Sequence, residues 1–269
     1  MSFRYRLGFR VTSALRPAFT ALVSRLMASA YSKRVLVLAG SGESPLIANA
    51  LAAEGHVVIS AWAEPARGVA PFTTRPEVTD LSSPARLADH VAARRIDAVV
   101  DASHCFDRPI SEAAATLSLP HVQVVRPEWQ PVAGDRWQLF DGLEDAVAVL
   151  NDDSRVLAAT GRGSELAFAS CHALVFLRQN THHEQRSSLP NVRYLFGDPP
   201  FSMEGEAEQF RELALTHLLV RNTGGDAGYG KIAAARRLEL DVLMLRRPAP
   251  PPGLYVPTVD AALDWVRGL

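Results

Sequence analysis

The stretch from Val35 to Ser60, VLVLAGSGESPLIANALAAEGHVVIS, constrains the fold more than any other. Val35 to Ala39 is the unbroken apolar run that a parallel strand buried on both faces requires, and Gly40-Ser41-Gly42 ends it abruptly. Ser41 or Ser44 can cap the helix that follows, Pro45 suits its first turn, and Leu46, Ile47, Ala50 and Leu51 recur at helical spacing on one apolar face. Gly55 closes the helix, and Val57, Val58 and Ile59 make a second buried strand. This is a βαβ unit whose first turn aims unpaired backbone N–H groups at one spot, which suits an anion.

A dinucleotide fingerprint usually carries a third glycine where this chain has Pro45, so an ordinary βα turn is the alternative reading. No acid ends the second strand. Ser60 stands there, with Arg67 a few residues on, a pattern that suits a 2′-phosphate better than a free ribose hydroxyl. A bound dinucleotide is therefore expected to be NADP(H) rather than NAD(H), approaching Gly40, Ser41 and Gly42.

A 269-residue chain with 48% hydrophobic residues can bury a large core, and helical and strand-like segments alternate almost throughout. The expected class is α/β, with two Rossmann-like, doubly wound parallel-sheet domains and a cleft between them. The expected boundaries are a basic extension over residues 1–33, a dinucleotide-binding-like domain over 34–137, and a second Rossmann-like domain over 138–269. The formal net charge of −1 conceals an acid-free stretch, residues 1–42, with six arginines and one lysine, which leaves the remainder near −8. Such a body disfavours nucleic acid. Cys105 and Cys171 are too few for a disulfide scaffold or a cysteine-based zinc site, so a reducing, cytoplasmic setting is expected. Residues 1–33 contain no apolar run long enough for a signal peptide or membrane span; a transit peptide, a membrane-surface helix and an upstream start codon are the readings, of which the last is preferred because Met27 sits just before Arg34-Val35, and residues 1–26 are then expected to be dispensable.

Along the chain, Pro84 to Arg94 reads as a helix and Ile96 to Val100 as a buried strand that ends in Asp101-Ala102-Ser103-His104-Cys105-Phe106. Polar residues at the carboxyl end of a parallel strand lie where open α/β sheets bind ligands, which makes His104 a candidate. Arg126-Pro127-Glu128-Trp129 and Gly134-Asp135-Arg136-Trp137 suit a crossover lining a cleft. Val156 to Ala159, the turn Thr160-Gly161-Arg162-Gly163 and a helix over Ser164 to Ala169 repeat the logic of the opening unit. His182 and His183 have no matching third ligand, and no metal is expected. Gly225 to Lys231 has the spacing of a phosphate-binding loop, but Ile232 replaces the hydroxyl residue that would hold magnesium. Lys231 is notable in itself, because Lys33 is the other lysine of the chain. An ammonium at a glycine loop can anchor a carboxylate or donate a proton.

These segments together resemble the precorrin-6A reductases of cobalamin biosynthesis. LAGSGES is similar to that family's opening glycine turn with its acid, here Glu43, and DASHCF to its Asp-Ala-Thr-His-Pro segment. RPEW and GDRW resemble its Arg-Pro-x-Trp and Gly-Asp-Arg-Trp pair, and ATGRGSELAFA its Thr-Gly-Arg turn. RNTGGDAGYGKIAAARRLELDVLMLRRP resembles its late glycine loop, lysine and terminal Arg-Arg-Pro. The order is collinear from about Arg34 to the C-terminus. Cys105, Thr223 and Arg221 depart from the family's proline, serine and lysine. The resemblance implies reduction of a ring-D double bond of precorrin-6A by NADPH to give precorrin-6B. Arg126, Arg136, Arg162 and Arg221 are then expected to clamp substrate carboxylates, with Asn222, Gly224 and Lys231 as a substrate loop. His104 and Lys231 are the candidate catalytic groups, with His104 the preferred acid. The cobalt-containing substrate of the anaerobic pathway and a non-catalytic nucleotide-binding protein are the alternatives. Neighbouring enzymes of the pathway are candidate partners.

Overall fold

The computed structural model describes residues 32–64, 70–180, 182–197 and 199–269. Residues 1–31 and Arg67 lie outside these residues.

The chain opens with β1 (Arg34–Ala39), α1 (Glu43–Ala53), β2 (Val57–Trp62), β3 (Glu77–Val78), α2 (Pro84–Arg94), β4 (Ala98–Ala102), α3 (Arg108–Ala115) and β5 (His121–Val124). It continues with β6 (Arg136–Phe140), α4 (Leu143–Ala148), β7 (Arg155–Ala159), a 3-10 helix (Arg162–Phe168), β8 (Leu174–Gln179), β9 (Val192–Phe196) and α5 (Met203–Glu212). The last elements are β10 (His217–Arg221), α6 (Gly230–Arg237), β11 (Asp241–Leu245), β12 (Tyr255–Val256) and α7 (Val259–Arg267). All pairings are parallel, in two six-stranded sheets ordered β12-β5-β4-β1-β2-β3 and β6-β11-β10-β7-β8-β9.

Each sheet is packed on both faces, which explains why its central strands are continuously apolar. In β1, Val35 and Val37 join Ile47, Leu51, Leu263 and Val266 on one side, while Leu36 and Leu38 join Leu87, Val99 and Ile110 on the other. Removing any one of these leucines to alanine should cost about 2–5 kcal/mol, because the packed layers cannot collapse into the gap. Leu46, expected on the apolar face of α1, is instead half exposed, and Ile47, Ala48 and Leu51 carry the contact.

The two sheets match strand for strand, but the second begins before residue 138 and the first takes its sixth strand from near the chain's end. The expected division at residue 137 therefore needs correction. Arg136 and Trp137 begin β6 of the second sheet, and the chain returns after β11 so that Tyr255 and Val256 pair with Gln123 and Val124 of the first. Helix α7 then packs its Ala262, Leu263 and Val266 against α1, and Arg267 ion-pairs with Glu54. Residues 255–269 thus belong to the first unit. Two crossovers, residues 125–135 and 246–254, join the units.

Two local expectations change as well. Strand β2 runs on to Trp62, so Ser60 is buried two residues short of its end rather than at the tip. The turn after β7 leads into a 3-10 helix, because the Ser164 hydroxyl bonds the Gly161 carbonyl at 2.7 Å and Thr160 at 2.6 Å, competing with regular helical pairing.

Candidate functional site

In an open parallel sheet the ligand crevice lies at the carboxyl ends of the strands where the strand order reverses. That point falls between β1 and β4 in the first sheet and between β7 and β10 in the second. The loops there are Gly40–Gly42 with Ser103–Phe106, and Thr160–Gly163 with Arg221–Gly225. They meet across the boundary: the Arg221 guanidinium lies 5.3 Å from the centre of the Phe106 ring, and Cys105 Sγ is 4.0 Å from the Thr223 carbonyl oxygen.

On the first side, Gly40 is bare for packing. A Cβ there would lie 2.8 Å from the His104 amide nitrogen. The Ser41 amide donates to the Ala102 carbonyl at 3.1 Å, which ties the glycine turn to the end of β4. Gly42 begins α1 with open space where a side chain would stand. Neither serine caps the helix as expected, because Ser44 Oγ turns back to donate to the Ser41 carbonyl at 2.5 Å. The first-turn amides thus lack a side-chain cap. Glu43 Oε1 accepts from Arg126 Nη1 at 3.2 Å, and its buried Oε2 has no partner among the described residues.

Near the end of β4, buried Asp101 accepts from the Ser103 amide and the Ser111 hydroxyl, and burial raises its pKa. His104 Nδ1 accepts from the Phe106 amide at 3.2 Å, which leaves the ring proton on Nε2. Burial, then the positive charges of Arg221, Arg126 and Arg247, push His104 down to about 4. The imidazole is therefore neutral at neutral pH.

The late glycine loop does different work from that expected. Asn222 accepts from the Trp129 amide at 3.0 Å and donates to the Trp129 carbonyl at 3.0 Å, and it is 4% exposed. Gly224, at φ +64°, would place a Cβ 2.1 Å from the Pro127 carbonyl oxygen, and Gly225, at φ +70°, one 2.7 Å from Arg126 Cδ. Asn222 and Gly224 thus fasten the first crossover. The Asn222 side-chain amide is used by the crossover backbone, and Gly224 is there for close approach to Pro127.

Lys231 Nζ donates to the Gly228 carbonyl at 2.8 Å and lies 5.7 Å from the Trp129 ring centre. Burial draws it down to about 8, against the pull of Glu206 upward. Burial thus leaves His104 neutral and Lys231 charged at neutral pH. No hydrogen bond or ion pair joins His104 to Lys231 among the described residues.

The four arginines separate. Arg126 and Arg221 are at the seam, and burial lowers the pKa of Arg221, whose Nε is buried without a partner among the described residues. Arg162 is exposed at the carboxyl end of β7. Arg136 is misplaced in the expectation: it opens β6 opposite Asp241, at the amino edge of the sheet, where it bonds Glu239. A parallel register puts that edge on the far side from the ligand crevice.

Sequence reasoning missed Arg247, whose Nη1 donates to the Arg126 carbonyl at 2.7 Å and Nε to the Asn222 carbonyl at 3.2 Å, clasping both crossovers. The Arg-Arg-Pro ending was the available signal. Its neighbour Arg246 goes to Asp141 at the surface, as alternation along an extended chain requires. No cluster of three His, Cys, Asp or Glu side chains able to hold a metal occurs among the described residues, and no helix among them is long and apolar enough to cross a membrane.

Residues 34–267 match the family described as precorrin-6x reductase CbiJ/CobK. The chain is 34% identical over 243 residues to the precorrin-6A reductase of Rhodococcus erythropolis, covering 88% of this chain and 98% of that one. It is 32% identical over 241 residues to the precorrin-6A reductase of Sinorhizobium sp, covering 87% and 92%. A solved structure described as CobK precorrin-6A reductase superposes with a TM-score of 0.80 at 30% identity, covering 88% of this chain and 97% of that one.

Proposed function

The chain belongs to the precorrin-6x reductase family, and on that premise we propose that it reduces precorrin-6A to precorrin-6B with NADPH at the seam between its two switch points. The reaction class is that of an oxidoreductase acting on a carbon–carbon double bond in cobalamin biosynthesis. The observation that supports this placement is the seam itself, where Arg126, Arg221 and Arg247 surround His104 and Glu43 is the one carboxylate paired with them among the described residues. Such an excess of buried positive charge suits a polyanionic ligand.

The β1–α1 turn fits the phosphates of a dinucleotide, because α1 has no side-chain cap and Gly42 leaves its approach open. Gly42 and Glu43 would hold that group through their backbone amides, while Gly40 and Ser41, whose amides bond Ser44 and Ala102, shape the turn around it. The 2′-phosphate reading is supported by the lack of any acid from Val57 to Ala63. Reduction adds a hydride to one carbon and a proton to its neighbour, and the reduced nicotinamide supplies the hydride.

The protein's own part is to bind, to orient and to hold the proton. Arg126, Arg162 and Arg221 are the carboxylate clamps of this reading. Lys231 holds the proton at Nζ, with a pKa of about 8 that leaves it charged at neutral pH yet able to release. Neutral His104 contributes its Nε2–H as a hydrogen-bond donor. Burial of the macrocycle between the two units would exclude water from the hydride's path.

Anaerobic mixing with NADPH and precorrin-6A should consume nicotinamide and macrocycle in equal amounts. Turnover of the cobalt-containing precorrin alone would assign the other substrate, and turnover of neither would leave a nucleotide-binding protein. Equal dissociation constants for NADPH and NADH in a fluorescence titration would remove the 2′-phosphate reading.

A further inference from the structure

Lys231 stands on the first turn of α6, and that turn abuts the start of α5: a Cβ on Gly230 would lie 2.7 Å from the Phe201 carbonyl oxygen and 3.4 Å from the Met203 amide nitrogen. From the α5 side of this junction comes Glu206, whose side chain is 1% exposed. Its Oε1 accepts from Arg178 Nη1 at 2.6 Å, and its Oε2 has no partner among the described residues. Arg178, from β8, is itself held by Gln209 Oε1 at 2.6 Å and by the Phe201 ring at 4.5 Å. As scaffolding, a buried ion pair is a poor choice, because apolar residues of the same volume do as well or better. A buried carboxylate with one oxygen unpartnered among the described residues, at the junction from which Lys231 rises, does something that apolar packing cannot.

We propose that Glu206, oriented by Arg178, is a positioning residue that sets the charge state of Lys231. The inference rests on reading Lys231 as the proton holder and names the group that governs it. Glu206 favours the ammonium, Arg178 opposes it, and burial opposes it most. The charged groups that act on Lys231 from neighbouring elements are these two, and the Asp135–Arg236 pair, which meets the Tyr229 hydroxyl, is not among them. Loss of Glu206 would leave Lys231 short of its proton at the pH where the enzyme works.

The composition offers a direct probe. Lys33 and Lys231 are the lysines of the chain, so reductive methylation with carbon-13 formaldehyde yields two side-chain NMR signals that titrate separately. In Glu206→Gln the Lys231 midpoint should fall by about one pH unit, with Lys33 unmoved, and in Arg178→Gln it should rise. Glu206→Asp should restore part of the fall, and the basic limb of the kcat–pH profile should move with the midpoint. If Glu206→Gln alone does not fold, Glu206→Gln with Arg178→Met leaves no unpaired buried charge. The midpoint then falls by less, because Glu206 acts on Lys231 more strongly than Arg178 does. An unmoved Lys231 midpoint in whichever variant folds overturns the proposal. The titration uses neither cofactor nor substrate, so its outcome is independent of which precorrin is reduced.

Discussion

Asn222→Ala separates a fastener from a substrate ligand. The Asn222 amide serves the Trp129 N–H and C=O at 3.0 Å each, with Asn222 4% and Trp129 6% exposed. Alanine removes both partners and leaves a buried donor and a buried acceptor on the crossover backbone, each worth about 1–3 kcal/mol. The Trp129 indole still donates to the Gly225 carbonyl at 2.7 Å, so the crossover is loosened and not released. The expected loss is therefore about 2–4 kcal/mol, read as a fall on the order of 1 M in the urea midpoint. Asn222→Asp should be comparably destabilised, since a carboxylate oxygen would face the Trp129 carbonyl. Retained urea midpoints combined with a raised KM for precorrin-6A would refute this reasoning and return Asn222 to the substrate.

Gly42 sits at φ −65°, and a Cβ added there would meet nothing within 4 Å, so Gly42→Leu should fold normally while weakening NADPH binding at least ~10-fold in a fluorescence titration. The folded His104 is pushed from 6.5 down to about 4, so the folded state resists a proton that the unfolded chain accepts. Stability should fall as pH drops from about 6.5 towards 4, and His104→Gln should flatten that part of the urea-midpoint profile. A chain begun at Met27 retains every described residue, including the Ser32 hydroxyl bonded to the Gly55 carbonyl, and should purify and turn over as the full chain does.

What is legible in the sequence is what local patterning encodes. The run Val35–Ala39 is buried on both faces, so its identity as a central strand is unambiguous, and Pro84 at the first turn of α2 marks that helix to the residue. Strand β12 is two residues long between prolines, with no period to detect, and its partner β5 lies over 130 residues earlier. Nothing local marks such an exchange. Site residues fail where chemistry and location diverge. Arg136 and Asn222 have the polarity of ligands, but parallel register sends the first to the amino edge and backbone pairing consumes the second. Ser60 reads as a strand end because β-propensity does not announce where a strand stops. His104 and Lys231 are recognisable by type, while their protonation depends on burial and on arginines distant in sequence.

The central claim is that both switch points face one ligand site, and hydrogen exchange measures this most directly. The full chain is compared alone and with NADP+ and precorrin-6A together, peptide by peptide. Slowed exchange is expected in 40–44, in 103–106 and in 221–231, from both sheets at once. Protection confined to one sheet, or slowed exchange around Arg136 and Glu239 at the amino edge with the seam unchanged, would contradict it.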